Sequence, residues 1–186
     1  MNINDRIYEL AEYKASEDVL YLFVSRGNEI IIKAVEYSFI QELNGRQVFN
    51  LGFGNYDFDS GSIADEVISN NGDTYMVFNT VLSTIPVFLN AYPDAIIMVR
   101  GSDSGKHFVD ACRKDCRKKC LSACRNEHRR VGIYRNYINK HHEALCNDYM
   151  FFGSLLPFNE QLSFEKYIIL KEYVSIFLIK KRKFIQ

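Results

Sequence analysis

The sequence predicts an α+β fold, a mostly antiparallel sheet with helices on one face. The first third of the chain consists of short β-branched and aromatic runs separated by turn residues, which is typical of strands. One apolar stretch of helical length, residues 74–92, follows, and strand-like runs return after it. The predicted order of elements is β-β-β-β-α-β-α-β-β, which favours antiparallel strands covered by helices.

Composition places the chain among globular proteins. Its 186 residues are 47% hydrophobic and 14% aromatic, which excludes a disordered composition. No apolar run reaches the roughly 18 residues that a membrane span needs. The first ten residues, "MNINDRIYEL", have neither the basic start nor the apolar core of a signal peptide. We therefore expect one domain over residues 1–186, a cytoplasmic location and no membrane association.

The first strands form a predicted meander. "RIYEL" and "VLYLFVS" are the first two, with "RGNE" as the turn after the second. "IIIKAVEYSFI" and "QVFNLGFGNYDF" follow, joined by "LNGR", in which Asn-Gly supplies the positive φ angles of a two-residue hairpin loop. Gly52 and Gly54 indicate a bulge or a close backbone approach near the end of the last strand.

A loop and a buried helix come next. "DSGSIADEVISNNGD" has the composition of a loop, with a short strand predicted at Val67–Ile68. Asp73 is the predicted N-cap of the helix "TYMVFNTVLSTIPVFLNAY". Pro86 lies inside that pattern and predicts a kink or an early break.

The second half of the chain predicts one central strand, two helices and two closing strands. "DAIIMVRGS" is the central strand. No Gly or Pro interrupts residues 106–131, which predicts a continuous helix ending near Gly132, and "IYRNYINKHHEAL" predicts a second helical piece. "DYMFFGSL" and "YVSIFLIKKRK" are the closing strands, with a short helix predicted near Leu162–Ile168 between them.

Four of these stretches resemble a bacterial family of unknown function. They are "NLGFGNYD", "DSGSIADEVISNNGD", "YPDAIIMVRGSDS" and "YVSIFLIKKRK". The family signature includes NLGFG, NNGD and a Gly-Ser junction between strand and helix. The resemblance implies a fold and no activity. The stretch "FVDACRKDCRKKCLSACRNEHRR" is longer and richer in Cys and Arg than that pattern, which indicates a helical elaboration at about 106–131 that is particular to this protein.

A net charge of zero conceals a strongly basic segment. Residues 1–105 carry 15 acidic and 6 basic side chains, a net −9, whereas residues 106–142 carry 11 basic and 3 acidic ones, a net +8. The residues predicted to contact a partner are Lys114, Lys118, Arg125, Arg129, Arg130 and Arg135. Like charges four residues apart on a helix repel, so tertiary packing, the acidic remainder of the chain or a bound polyanion must offset them. We expect nucleic acid or an acidic protein, with Tyr134, Tyr137 and His141 available to stack on bases.

A sulfur or an imidazole occupies every fourth position across the same stretch. The five residues are Cys112, Cys116, Cys120, Cys124 and His128. On one helix the thiols would line a single arc, which predicts reduced cysteines packed in the core or across a homodimer, and no cofactor. The alternative is a thiolate site for Zn²⁺. Four ligands spread over about 18 Å of one helix cannot converge on one ion, so that alternative needs ligands from elsewhere.

Three weaker patterns complete the analysis. "GSDSGK" indicates either an anion site or capping of the helix by Ser102 or Asp103, and capping is favoured. "NYDFDSGSIADE" has the acidic spacing of a calcium loop with its Gly misplaced, so an Asx turn is favoured. The four histidines, with Arg135 or Arg100, allow a metal-independent nuclease or toxin-like enzyme as an alternative function. The leading hypothesis is a non-enzymatic interaction domain.

Overall fold

The computed structural model describes residues 7–15, 18–64, 71–114, 116, 118–120, 123–156 and 164–182. This part of the chain contains nine strands and three helices, which confirms the predicted α+β class. The chain divides into two compact units, Met1–Ile97 and Met98–Gln186, and a single domain stays a prediction. Among the helices of the described ranges, none combines the length and the apolar character that crossing a bilayer requires.

The first unit is built on a meander of antiparallel strands, as predicted. Its strands are β1 (Ala11–Ala15), β2 (Asp18–Arg26), β3 (Ile30–Leu43), β4 (Arg46–Asp57) and β5 (Ser62–Ala64). They pair in the order β1-β2-β3-β4, and β5 pairs with β4. The loop between β3 and β4 is the predicted Asn44-Gly45 pair, with φ angles of 50° and 74°. The first strand begins after "RIYEL" rather than within it.

Helix α1 (Thr74–Ala91) covers one face of this meander and encloses an aromatic core. Tyr37 of β3 stacks on Phe88 with ring centroids 4.0 Å apart, and its hydroxyl hydrogen-bonds Thr84 Oγ1 at 2.8 Å. Phe49 of β4 meets the edge of the same Phe88 ring. Each buried aromatic ring removes a large apolar area from water, so these rings hold the helix on the sheet. The helix continues past Pro86, so the early break does not occur.

The second unit receives the chain through β6 (Ile96–Arg100), four of whose five residues are buried. Its other elements are α2 (Lys106–Lys114), α3 (Arg129–Leu145), β7 (Tyr149–Ser154), β8 (Glu165–Lys166) and β9 (Ser175–Lys180). β7 pairs antiparallel with both β8 and β9. The predicted strands "DAIIMVRGS", "DYMFFGSL" and "YVSIFLIKKRK" are confirmed and correspond to β6, β7 and β9. The strand predicted at Val67–Ile68 lies outside the described residues, as does the beginning of the helix predicted at Leu162–Ile168, whose later part holds β8.

The predicted continuous helix over 106–131 is wrong. α2 ends at Lys114 and α3 begins at Arg129, and the described residues between them form turns, with no helix or strand. Lys119 and His128 have φ angles of 47° and 60°, left-handed conformations that a right-handed helix does not contain.

The prediction that Gly132 ends this helix is also wrong, because Gly132 lies inside α3. The residue of α3 with non-helical angles is His141, at φ −117° and ψ 16°. Gly inside a helix costs about 1 kcal/mol relative to Ala, a cost that the packing and capping of α3 offset.

Candidate functional site

Residues 112–128, which run from the end of α2 to the residue before α3, are called the cysteine segment below. Its backbone uses sulfur atoms as hydrogen-bond acceptors. The N–H of Arg125 donates to Cys120 Sγ at 3.4 Å, and the N–H groups of Lys118 and Cys120 donate to Cys116 Sγ. In a helix these N–H groups would bind carbonyl oxygens four residues back. Sulfur acceptors, together with repulsion between like charges four residues apart, explain why the described residues between α2 and α3 are not helical.

Four thiols of this segment are neighbours, and two of their sulfur atoms are in contact. Cys116 Sγ is 3.6 Å from Cys120 Sγ. The thiol of Cys112 interacts with those of Cys116 and Cys124. The order of neighbours is therefore Cys120, Cys116, Cys112 and Cys124. All four thiols are free and partly exposed, so the prediction that they line a buried face of one helix is wrong.

The hydrogen bonds change the acidity of two thiols in opposite directions. Backbone N–H groups of Cys120 and Lys118 stabilise the thiolate of Cys116 and lower its pKa to about 7. The pKa of Cys112 is raised, because a lowering hydrogen bond from Asn126 is outweighed by partial burial and by the neighbouring Cys124 and Cys116. The lowered pKa of Cys116 increases the fraction of this thiol that is ionised at neutral pH.

The fifth predicted ligand and the fifth cysteine lie in other contacts. His128 Nε2 is 3.6 Å from Glu127 Oε1. Cys146, at the end of α3, lies 3.5 Å from His142 Nε2. Among the described residues, no three His, Cys, Asp or Glu side chains surround a common point in the arrangement of a finished metal site. Zn²⁺ binding and the expectation of no cofactor both stay predictions.

Most of the predicted basic contact residues lie at the surface. Lys114, Lys118, Arg125 and Arg129 are all exposed, and so is Lys119, which was not among the predicted contacts. In the described part of the chain, none of the five side chains makes an ion pair. Their charges therefore remain directed at solvent. The predicted basic residues were expected on one continuous helix, whereas in the structure they lie on α2, on turns and on α3.

Arg130 and Arg135, the other two predicted contacts, are held by protein groups. The Arg130 guanidinium donates to Ser102 Oγ. The Arg135 guanidinium donates to the Tyr173 carbonyl at 3.1 Å and lies 3.9 Å from Glu172. Both guanidinium groups therefore bind protein groups and are less available to a partner than the exposed cations.

Asp103 fixes the end of the cysteine segment. Its Oδ2 accepts a hydrogen bond from the N–H of Arg130 at 2.8 Å, and its carbonyl accepts one from the N–H of His128 at 2.9 Å. The N–H groups in the first turn of a helix lack partners within the helix, and a carboxylate satisfies one of them. Sequence analysis favoured Ser102 or Asp103 as a cap for α2, but the carboxylate of Asp103 caps α3 instead.

A cleft of about 410 Å³ runs along the first turns of α3. Its walls include the bases Arg129 and Arg135 and the acids Glu127 and Glu172. This mixed charge offers no net attraction for a polyanion. The exposed cations of the cysteine segment and its flanks, which include Arg129, are the stronger candidate for a polyanion surface.

A second polar cluster, which sequence analysis missed, lies in the first unit and is called the Asp73 cluster. It consists of Tyr8, Ser25, Asn71 and Asp73. Asp73 Oδ2 accepts hydrogen bonds from the Tyr8 hydroxyl at 2.7 Å and from Ser25 Oγ at 2.6 Å. Asn71 Nδ2 donates to Ser25 Oγ at 2.8 Å. Asp73 precedes α1, as predicted for an N-cap, but its side chain makes no capping bond.

The Asp73 cluster ties together distant parts of the chain. The Tyr8 hydroxyl accepts the N–H of Arg26, and the amide of Asn71 bonds both backbone groups of Glu29. Partial burial raises the pKa of Asp73, but the hydrogen bonds from Ser25 and Tyr8 lower it more, and the net pKa lies below the ordinary value. The described members bind one another or the backbone, so the cluster is structural.

Lys33 is a buried cation beside this cluster, on β3. It is only 4% exposed, and its ammonium group donates to Asn55 Oδ1 at 2.8 Å and lies 5.6 Å from the centre of the Phe53 ring. Burial lowers the pKa of Lys33, and the charge of Asp73 partly opposes this. The alternation of β3 gave a usable signal, because Lys33 shares the inward face with Val35 and Tyr37.

The histidines do not share one environment. His107 is exposed on α2, His128 contacts Glu127, His141 packs against Tyr137, and His142 contacts Cys146. The nuclease alternative stays a prediction. In the predicted Asx turn, Asp57 Oδ1 accepts the N–H of Asp59 at 2.8 Å, which confirms the turn and lowers the pKa of Asp57. Glu66, the last residue of that pattern, lies outside the described residues.

The fold and these sites define a class of protein: an α+β chain on antiparallel strands, with a structural polar cluster and a basic, cysteine-rich connection between two helices. The chain belongs to DUF6934, a family of unknown function, whose profile matches residues 4–110. This confirms the predicted resemblance to a family of unknown function, and its bacterial origin stays a prediction. No curated protein and no solved structure matches the chain. The match includes the Asp73 cluster and ends before Cys112.

Proposed function

We propose that the protein is a non-enzymatic interaction domain that binds nucleic acid through the exposed cations of the cysteine segment and its flanks. The supporting observation is the set of five exposed cations without an ion pair among the described residues: Lys114, Lys118, Lys119, Arg125 and Arg129. Unpaired cations on one short stretch raise the local positive potential, which attracts a polyanion.

Electrostatics sets the expected strength of this binding. Each phosphate that a cation neutralises releases a counterion, so log K falls with log salt by about 0.9 per contact on duplex DNA and about 0.7 on single strands. Five contacts predict a slope between about −3.5 and −4.5. The family match covers residues 4–110 and ends before these cations, so the proposal does not extend to the family as a whole.

Fluorescence anisotropy with labelled RNA and DNA at several salt concentrations tests the proposal. The variant Lys118→Gln/Lys119→Gln removes two of the exposed charges and should make the slope shallower by about 1.5. The matched control, Arg26→Gln/Lys166→Gln, removes two exposed charges from other elements and should keep the wild-type slope.

Three outcomes contradict nucleic-acid binding: no binding at low salt, binding that is indifferent to salt, or equal weakening by the control variant. Salt-sensitive binding of an acidic polypeptide, with none of RNA or DNA, would favour the alternative of an acidic protein partner. The homodimer and the cytoplasmic location also stay predictions, and sedimentation of the purified chain measures the first of them.

A further inference from the structure

The end of α2 at Lys114 removes the geometric objection to a metal site in this chain. On one helix, four cysteines four residues apart are spread along the axis and cannot meet. In the observed turns, the sulfur of Cys116 approaches that of Cys120 to 3.6 Å, and the thiol of Cys112 is a neighbour of those of Cys116 and Cys124. Residues 12 apart in sequence, Cys112 and Cys124, thereby bring their thiols together without any ligand from another element.

We propose that Cys112, Cys116, Cys120 and Cys124 form a tetrahedral site for one Zn²⁺ ion within a single chain. Ligand sulfurs about 2.3 Å from Zn²⁺ lie about 3.8 Å from one another, close to the observed separation of Cys116 and Cys120. Without the ion, no three of the described His, Cys, Asp or Glu side chains are placed to hold a metal. Coordination would draw Cys120 and Cys124, the two ends of the order of neighbours, onto the same ion.

Hydrogen bonds already prepare the sulfurs as ligands. Backbone N–H groups point at Cys116 Sγ and Cys120 Sγ, and Asn126 Nδ2 donates to Cys112 Sγ at 3.3 Å. N–H donors stabilise thiolates and orient them, which is the role of the outer shell in metal–thiolate sites. Zn²⁺ displaces the remaining thiol protons, and the resulting site of four thiolates has a net charge of −2, which the exposed Lys118, Lys119 and Arg125 offset.

The length of the connection gives an independent reason. Loops longer than about 12–15 residues without secondary structure are uncommon in compact domains unless they have a function. Between α2 and α3 the described residues form turns only, and none of the described residues 116–128 is buried. A metal ion supplies the organising centre that an apolar core supplies elsewhere.

The test uses the full chain, produced without a histidine tag, and does not depend on the proposed binding of nucleic acid. Elemental analysis should find one equivalent of zinc per chain. Zn²⁺ is spectroscopically silent, so Co²⁺ is the probe, and it should give the strong absorption of tetrahedral thiolate coordination. Ser in place of each of the four cysteines should abolish that absorption, whereas the matched control Cys146→Ser should retain it.

A further variant separates ligation from general folding. Asn126→Ala removes a donor to Cys112 but no ligand, and should weaken Co²⁺ binding by about 10–100-fold while keeping the absorption. Circular dichroism of the metal-free Ser variants should show α1 and α3 retained, because α1 packs on the sheet and α3 is held by Asp103 and the Tyr173 carbonyl.

Several results would overturn the site. These are no metal with no Co²⁺ absorption, equal loss in Cys146→Ser, half an equivalent per chain, or copper or iron in place of zinc. Disulfides between Cys116 and Cys120 or between Cys112 and Cys124 in protein purified under reducing conditions would also overturn it. Nucleic-acid binding is measured separately on zinc-loaded and chelator-treated protein, so the failure of one proposal is distinguishable from the failure of the other.

Discussion

The hydroxyl of Tyr8 donates a hydrogen bond to the carboxylate of Asp73 at 2.7 Å, across 65 residues of sequence. The same hydroxyl accepts the backbone N–H of Arg26 at 2.9 Å. One side chain therefore joins the entry to β1, the end of β2 and the start of α1.

Tyr8→Phe should lower the free energy of unfolding by about 1–3 kcal/mol, because a partly buried N–H and a carboxylate each lose a partner. Urea denaturation measures the change. Tyr75 is 89% exposed and serves as the matched control, so Tyr75→Phe should leave stability unchanged. Equal stability of the two variants would show that the hydroxyl of Tyr8 contributes nothing.

Asp73 should make stability depend on pH in the acid range. Its hydrogen bonds hold its folded-state pKa below the usual 3.8. A carboxyl with a lowered pKa contributes stability that is present above the unfolded pKa and is lost as pH falls through the folded pKa. Asp73→Asn should therefore be less stable at neutral pH and should lose less stability between pH about 5 and pH about 2. Asp110→Asn, at an exposed position of α2, should follow the wild-type profile.

Gly153 on β7 lies directly beneath the ring of Tyr173. A Cβ at Gly153 would lie 2.3 Å from ring carbons, and the ring is held in place by hydrogen bonds from its hydroxyl to Glu165 and from the N–H of Ile168. Gly153→Ala should cost about 3 kcal/mol or more, because the ring cannot move away freely.

Gly52 on β4 is the matched control for that substitution. The nearest atoms to a Cβ there are 3.9 Å away, an ordinary contact. Gly52→Ala should change stability by less than about 1 kcal/mol, and it stabilises if unfolded-state entropy dominates. Thermal unfolding of both variants measures the difference. A stable Gly153→Ala protein would contradict the packing described for Tyr173.

Asp103 should stabilise α3 from outside that helix. Asp103→Ala removes the acceptor for the N–H of Arg130 and should cost about 1–2 kcal/mol, as the loss of an N-cap does. Hydrogen exchange at the first turn of α3 should accelerate in this variant and stay unchanged in Asp110→Ala. Unchanged exchange in both variants would show that Asp103 does not cap the helix.

Local sequence signals were sufficient to predict most of the secondary structure of the first unit. The Asn44-Gly45 turn, the alternation of β2 to β4 and the apolar pattern of α1 each arise within a few residues, so the sequence displays them directly. The Asp73 cluster was not predictable in this way, because its bonds join residues 46 to 65 positions apart.

The prediction of a helix through the cysteine segment was wrong for a different reason. The absence of Gly and Pro between Lys106 and Val131 favoured a helix, but it says nothing about competition from sulfur acceptors and like charges. Lys119 and His128 adopt positive φ angles without being Gly, so neither has a sequence signal for a turn. Of the six predicted basic contacts, Lys114, Lys118, Arg125 and Arg129 are exposed, whereas Arg130 and Arg135 are partly buried. Their role in binding stays a prediction.

The two contacts of Asp103 with His128 and Arg130 place a residue shortly before α2 beside the start of α3. The connection between Asp103 and His128 therefore starts and ends at one place. The free-energy cost of closing a loop grows by only about 0.6 kcal/mol for each doubling of its length. A connection with adjacent ends can therefore be lengthened, shortened or excised with little change in the stability of the rest of the fold. A family scaffold could acquire a new chemistry at this point without redesigning its core.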